Sequence, residues 1–159
     1  MVFEKISRIA LAVRNLEEAM DFFSDLLNIR FDEPVIHEDS GHRIAFSAFG
    51  LELVESIAEN SMVDRFIKQR GEGVFALAIK VSDMEQAKKI FEGKGVRFTG
   101  ENIFHGLREA TFHPKDTYGC HILLAAYREM HPATVAALMK GENAPEGSNI
   151  KGVQQMEEE

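Results

Sequence analysis

The sequence predicts an α+β chain made of two βαβββ modules, and three observations carry that reading. The stretch "RIALAVRNLEEAMDFFSDLLNIRF" from Arg8 returns as "ALAIKVSDMEQAKKIFEGKGVRF" from Ala76. A repeat of this length marks one supersecondary unit used twice. Within each copy an alternating apolar run gives way to a helical stripe, so the period changes from strand to helix. After each helix come three further stretches with strand character.

The first module spans 1–60. Its opening strand is "SRIALAV", Ser7 to Val13. Asn15 followed by Glu18 is a helix-start pair, a capping side chain with a Glu three residues on. Leu16, Ala19, Met20, Phe23 and Leu27 then form the buried stripe of a helix. "IRFDEPVIHED", "HRIAFSAFG" and "LELVESIA" supply the three strands. A linking helix is expected at 61–72, from Ser61 to Arg70, closed by Gly71 and Gly73. The second module, 73–127, begins with "FALAIKV". Asp83 with Gln86 starts its helix, whose stripe is Met84, Ala87, Ile90 and Phe91. Its three strands are "VRFTGENIF", "LREATFHP" and "CHILLAAY". A short docking helix is expected at 128–140, within "HPATVAALMK". The stretch 141–159, rich in Gly, Pro, Asn and acidic residues, reads as disordered.

The bulk numbers narrow the function. With 159 residues, 45% hydrophobic and 28% charged, the chain is an ordinary soluble globular protein. A net charge of −8 argues against nucleic acid as a partner, because phosphate backbones need a basic surface. The one cysteine, Cys120, makes neither an internal disulfide nor a Cys-rich zinc site. It reads as a small buried strand residue. No run is long enough to cross a membrane and "MVFEKISRIA" has no signal-peptide pattern, so a cytoplasmic protein is expected. No Ser-His-Asp arrangement, phosphate-binding glycine loop or dinucleotide fingerprint is visible.

Two βαβββ units in one short chain resemble the vicinal oxygen chelate superfamily, which includes glyoxalase I, extradiol dioxygenases and bleomycin-resistance proteins. The resemblance covers Ile6 to Tyr127. "LEEAMDFFSDLLNI", "DRFIKQRGEGV" and above all "FHPKDTYG" are similar to the methylmalonyl-CoA epimerase branch. It implies a curved mixed sheet forming a cup, and pairing of chains into a homodimer. It also implies one divalent metal held by four ligands on four strands. Carried over by alignment, those positions are Arg8, Glu52, Ala76 and Leu123. Arg has no lone pair to give, and Ala and Leu have no donor, so no metal and no other cofactor is expected.

Strand alternation fills the rest of the cup. Ala10 and Ala12 share a face with Arg8. Ala78 and Lys80 share one with Ala76, and His121 shares one with Leu123. The four alanines read as room for a ligand. Arg8, Glu52 and His121 are the candidate catalytic groups, with Arg8 polarising a substrate oxygen in place of the metal and Glu52 or His121 moving a proton. The competing reading of Arg8 and Glu52 is an ion pair that plugs the former metal site. The competing reading of His121 is a hydrogen-bonded strand residue. Arg8, Lys80, His113, Lys115 and Arg108 are the candidate ligand-binding residues, with Lys115 placed to meet a phosphate. His37, His42 and His105 sit in polar turns and read as exposed.

Two functions fit. One is epimerase, isomerase or lyase chemistry on a small carboxylate or acyl-CoA-like ligand, by proton abstraction next to a carbonyl. The other is sequestration of a small molecule without chemistry, as in bleomycin-resistance proteins. A metal enzyme with differently placed ligands is a third.

Overall fold

The computed structural model describes residues 1–104 and 106–128. The expected helix at 128–140 and the tail at 141–159 fall almost wholly outside that range, as does His105. Eight strands and three helices alternate along the described chain. They are β1 (Phe3–Val13), α1 (Leu16–Leu27), β2 (Val35–His37), β3 (His42–Phe46), β4 (Leu51–Ser56), α2 (Met62–Arg70), β5 (Gly73–Val81), α3 (Met84–Gly93), β6 (Phe98–Phe104), β7 (Leu107–Phe112) and β8 (His121–Ala126).

The capping pairs act as the sequence indicates. Asn15 Oδ1 accepts from Glu18 N, and Asp83 Oδ1 accepts from Gln86 N. Ser61 Oγ does the same for Asp64 N at the start of α2. Each satisfies an N–H that the first helical turn leaves open. The long strand expected over "IRFDEPVIHED" shrinks to β2, with Phe31 making only an isolated bridge to Ser47. Pro34 precedes β2, and without an N–H it cannot join a ladder.

The strands form one curled, mixed sheet in the order β2-β3-β4-β1-β5-β8-β7-β6. β1 runs parallel to β4 and β5 parallel to β8, while β1 and β5 meet antiparallel at the centre. Their register is two-fold. Arg8 pairs with Ala78, Ala10 with Ala76, and Ile9 with Leu77 between them. A bulge lies at Ser7 in one strand and at Phe75 in the other, the same place in the repeat. The outer strands keep the relation, since Ala10 faces Glu52 as Ala78 faces Leu123. Thus Arg8 and Ala76 are equivalent positions, and so are Glu52 and Leu123.

The two faces of the sheet are covered differently. α1 and α3 lie on the outer face. Leu16 packs with Val13, Ala45 and Leu53, and Met84 and Ala87 pack with Ala110, Phe112 and Leu124. α2 folds over the inner face, where Val63 packs against Ala10, Ala12, Val54 and Ala76. This corrects the reading of the cup's small residues. Ala10, Ala12 and Ala76 make room for a helix of the protein itself, and the chamber left for a ligand is confined to the charged end of the cup.

Candidate active site

The bulge at Ser7 turns the next side chain into the cup, a common way for a strand to aim a functional residue. Arg8 is 5% exposed and Glu52 4%. The Arg8 guanidinium donates from Nε to Glu52 Oε2 and from Nη2 to Glu109 Oε1. Its carbon lies 5.7 Å from the centroid of the Phe46 ring. The third nitrogen, Nη1, is buried and finds no partner in the protein. One cation is therefore held between two carboxylates, with one edge of its fork unused.

The sequence reading did not find Glu109. In β7, Leu107, Glu109 and Thr111 face inward, while Arg108 and Ala110 face outward. The signal was the alternation of "LREATF", which places Glu109 opposite Arg108. His42, expected to be exposed beside a turn, is instead buried. It opens β3, is 9% exposed, and shares the inner face with Ile44 and Phe46. His121 opens β8 at 7% exposure, its ring centroid 5.3 Å from that of Phe75. The Nε2 atoms of His42 and His121 are buried without a partner. Both line the same chamber of about 120 Å³ as Arg8, Glu52 and Glu109.

The electrostatics follow from burial and from the count of two carboxylates to one guanidinium. Burial opposes the charge on Arg8, but Glu52 and Glu109 outweigh it and hold the pKa above its ordinary value. Burial also raises Glu52; Arg8 pulls it down, Glu109 pushes it up, and the result is a carboxyl that holds its proton more readily than usual. His42 is lowered to about 4, by burial first and then by His37 and His121. Burial likewise lowers His121, with Glu109 opposing. Both imidazoles are neutral at pH 7.

The other candidates fall elsewhere. Lys80 reaches Glu4 at 3.0 Å and lies over the Tyr127 ring, away from the chamber. Arg108 lies on the outer face, away from the chamber. It donates to Glu101 and to Glu85 of α3 on the outer face, as its counterpart Arg43 donates to Glu17 of α1. Both ties hold a helix to the sheet. His113 lines a second cavity beside the chamber. Its Nδ1 accepts from the N–H of Lys115, whose side chain is exposed outside that cavity.

The donor set does not fit the metal that the fold's relatives would suggest. Of Arg8, Glu52, Ala76 and Leu123 only Glu52 can ligate, and it is bonded to the Arg8 guanidinium. Among the described residues no three of His, Cys, Asp and Glu converge as a metal site.

Residues 7–112 match the family model described as the Glyoxalase/Bleomycin resistance protein/Dioxygenase superfamily. The chain belongs to this superfamily. Within it, the mitochondrial methylmalonyl-CoA epimerases of Dictyostelium discoideum and Homo sapiens are each 26% identical over 122 residues. Those matches cover 72% of this chain and 74% and 69% of the two enzymes. Among solved structures, methylmalonyl-CoA epimerase from Mycobacterium tuberculosis matches with a TM-score of 0.74 and 26% identity, over 80% of this chain and 91% of that one. A Streptomyces coelicolor epimerase variant in complex with 2-nitronate-propionyl-CoA matches at 0.73 and 25%, over 80% and 99%. A methylmalonyl-CoA epimerase in complex with methylmalonyl-CoA and NH4+ matches equally well, at 0.73 and 25% over 80% and 96%.

Proposed function

We propose that this superfamily member binds a small acyl thioester or related carboxylate in the cup and moves a proton next to its carbonyl, without a metal. The observation that carries the reading is the unused edge of Arg8. A buried guanidinium nitrogen without a partner is costly, and a substrate oxygen would satisfy it. His42 and His121 offer two further unpartnered nitrogens in the same chamber. A carbonyl oxygen bound at Arg8 Nη1 would gain negative charge as the adjacent C–H bond breaks, against a fixed cation in a dry site. Glu52, whose burial raises its pKa above the ordinary carboxylate value, is suited to exchanging that proton. His121 stands by as a neutral second proton carrier. Epimerisation and isomerisation both need this step.

Turnover of 2-substituted acyl thioesters tests it. Glu52→Gln and Arg8→Met are each expected to lower the rate by about 10²-fold or more. Full activity in both variants would contradict the mechanism. A second reading has one observation in its favour: Arg8 already engages both carboxylates. On that reading the triad is a plug and the cup binds a small molecule without chemistry. It predicts ligand binding with no turnover in any variant.

The protein is also proposed to act as a homodimer. Ile6, Ile9 and Val74 are exposed on the outer face beside the two-fold centre of the sheet. Phe22 and Leu26 are exposed on the flank of α1 opposite its Glu17–Arg43 tie. A strip centred on an internal two-fold is self-complementary and suits an isologous contact. Ile9→Glu is expected to convert a dimer, measured by light scattering, into a monomer. A wild-type protein that is already monomeric would contradict it.

A further inference from the structure

Glu109 takes no part in the steps above, yet it is the second carboxylate on Arg8. We propose that it is a positioning residue for the proton transfer. Reaching in from the second module, it fixes the Arg8 fork with Nη1 left for the substrate, and it keeps Glu52 from being locked in a simple ion pair.

Three observations support this. The first is geometry. A guanidinium is a rigid planar fork, and a single contact leaves its plane free to turn. Arg8 has two contacts on separate strands, Nε donating to Glu52 of β4 and Nη2 to Glu109 of β7. The Phe46 ring beside its carbon adds a third restraint. Nη1 is the nitrogen left without a protein partner.

The second is charge. A plug needs one guanidinium and one carboxylate, which together are neutral. A second carboxylate beside a buried pair adds repulsion, a cost that a structural role alone does not explain. It has a chemical use. Paired with Arg8 alone, Glu52 would be held as a weakly basic anion. The charge of Glu109 opposes that pull and lets Glu52 accept a proton. Side-chain exposure separates the two roles, at 6% for Glu52 and 18% for Glu109. The inner carboxyl carries the proton and the outer one sets its field. The other titratable groups lining the chamber are His37 of β2, His42 of β3 and His121 of β8. His42 and His121 are neutral at pH 7, lowered by burial. α2, β5 and β6 bring no charged side chain to the chamber. Arg8 and Glu109 are the charges that act on Glu52.

The third is the repeat. Glu109 pairs with Ala125 of β8 as Ile44 pairs with Val54 of β4, so the two are equivalent positions. The first module is built with an apolar residue there, and the fold does not demand a carboxylate.

The inference rests on the reading of Glu52 as the proton carrier, and two readouts separate the claims. One is the pH–rate profile of deuterium exchange at the carbon next to the carbonyl of methylmalonyl-CoA. The other needs no turnover. It is an NMR titration of the Glu52 side-chain carboxyl carbon, assigned by its loss in Glu52→Gln. Wild type is compared with Glu109→Gln and Glu109→Leu. Glu109→Gln keeps an acceptor for Nη2 and removes the charge. Its rate limb and its Glu52 titration are both expected to move to lower pH, with the plateau rate within about threefold of wild type. Glu109→Leu removes the anchor as well, and kcat is expected to fall about tenfold or more with little change in KM. An unmoved Glu52 titration in Glu109→Gln, or full kcat in Glu109→Leu, would overturn the proposal. If the Glu52 titration moves but no protein, wild type included, exchanges the proton, the hold of Glu109 on Glu52 stands and the proton-transfer reading fails.

Discussion

The two halves of the molecule share their elements, their bulges and their strand register, yet only one polar site results. Each charged or imidazole group lining the chamber has an uncharged counterpart in the other half. Arg8 corresponds to Ala76, Glu52 to Leu123 and His42 to Leu107. In the other direction Glu109 corresponds to Ile44 and His121 to Gly50. The helix ties outside, Arg43–Glu17 and Arg108–Glu85, are instead kept in both halves. The repeat therefore conserves what holds helices on the sheet and divides the chemistry, so that charges from two modules meet at one place. A single ligand shared by both modules is the proposed reason for this pattern, and the following experiments attack it.

Giving the first half the second half's residue, Arg8→Ala, should have the largest effect. It leaves the buried Glu52 and the half-buried Glu109 without their cation, and should cost about 3–5 kcal/mol in chemical denaturation at neutral pH. Adding Glu52→Leu, the other half's residue again, should restore part of that loss, because the buried Glu52 carboxyl is then removed along with its cation while Glu109 still lacks its partner. Additive losses would show that the two residues act separately.

The next effect is on pH dependence. His42 has a folded pKa of about 4 against an ordinary 6.5. The unfolded chain thus binds the proton first, and stability should fall as pH drops from about 6.5 to 4, by on the order of 2–3 kcal/mol. His121 adds in the same direction. Glu52, raised in the fold, works with the opposite sign, favouring the fold when protonated and losing that contribution as pH rises through its folded value. His42→Leu, which installs the residue of the second half, should flatten the acid limb. An unchanged limb would mean that His42 is not the buried neutral group described.

The smallest effects should be on the outside. Arg43→Ala and Arg108→Ala break equivalent, partly exposed ties, and each should cost at most about 1 kcal/mol with similar values in the two halves. A large loss in Arg108→Ala alone would point to a role in the site after all.

The repeat made the fold legible, since one strand–helix period written twice fixes two modules and their two-fold register. Setting the copies side by side also exposed Arg8 against Ala76. Glu109 and His42 were harder to see. Both lie in short strands, and a residue's face is known only once the strand's first residue is. The alanines misled for another reason. Small residues mean space, but sequence spacing does not show that α2 folds back and fills it through Val63. The cavity between α2 and the 113–119 loop is not legible in the sequence for the same reason, although His113 is a candidate residue there.

The central claim is that Arg8 and Glu52 do together what a metal would otherwise do. Solvent deuterium incorporation at the carbon next to the carbonyl of methylmalonyl-CoA, followed by NMR with chelator-treated protein and again with added divalent metal, tests it most directly. The account predicts incorporation at the same rate in both samples, and its loss in Glu52→Gln. Incorporation that depends on added metal, or that persists in Glu52→Gln, would contradict it.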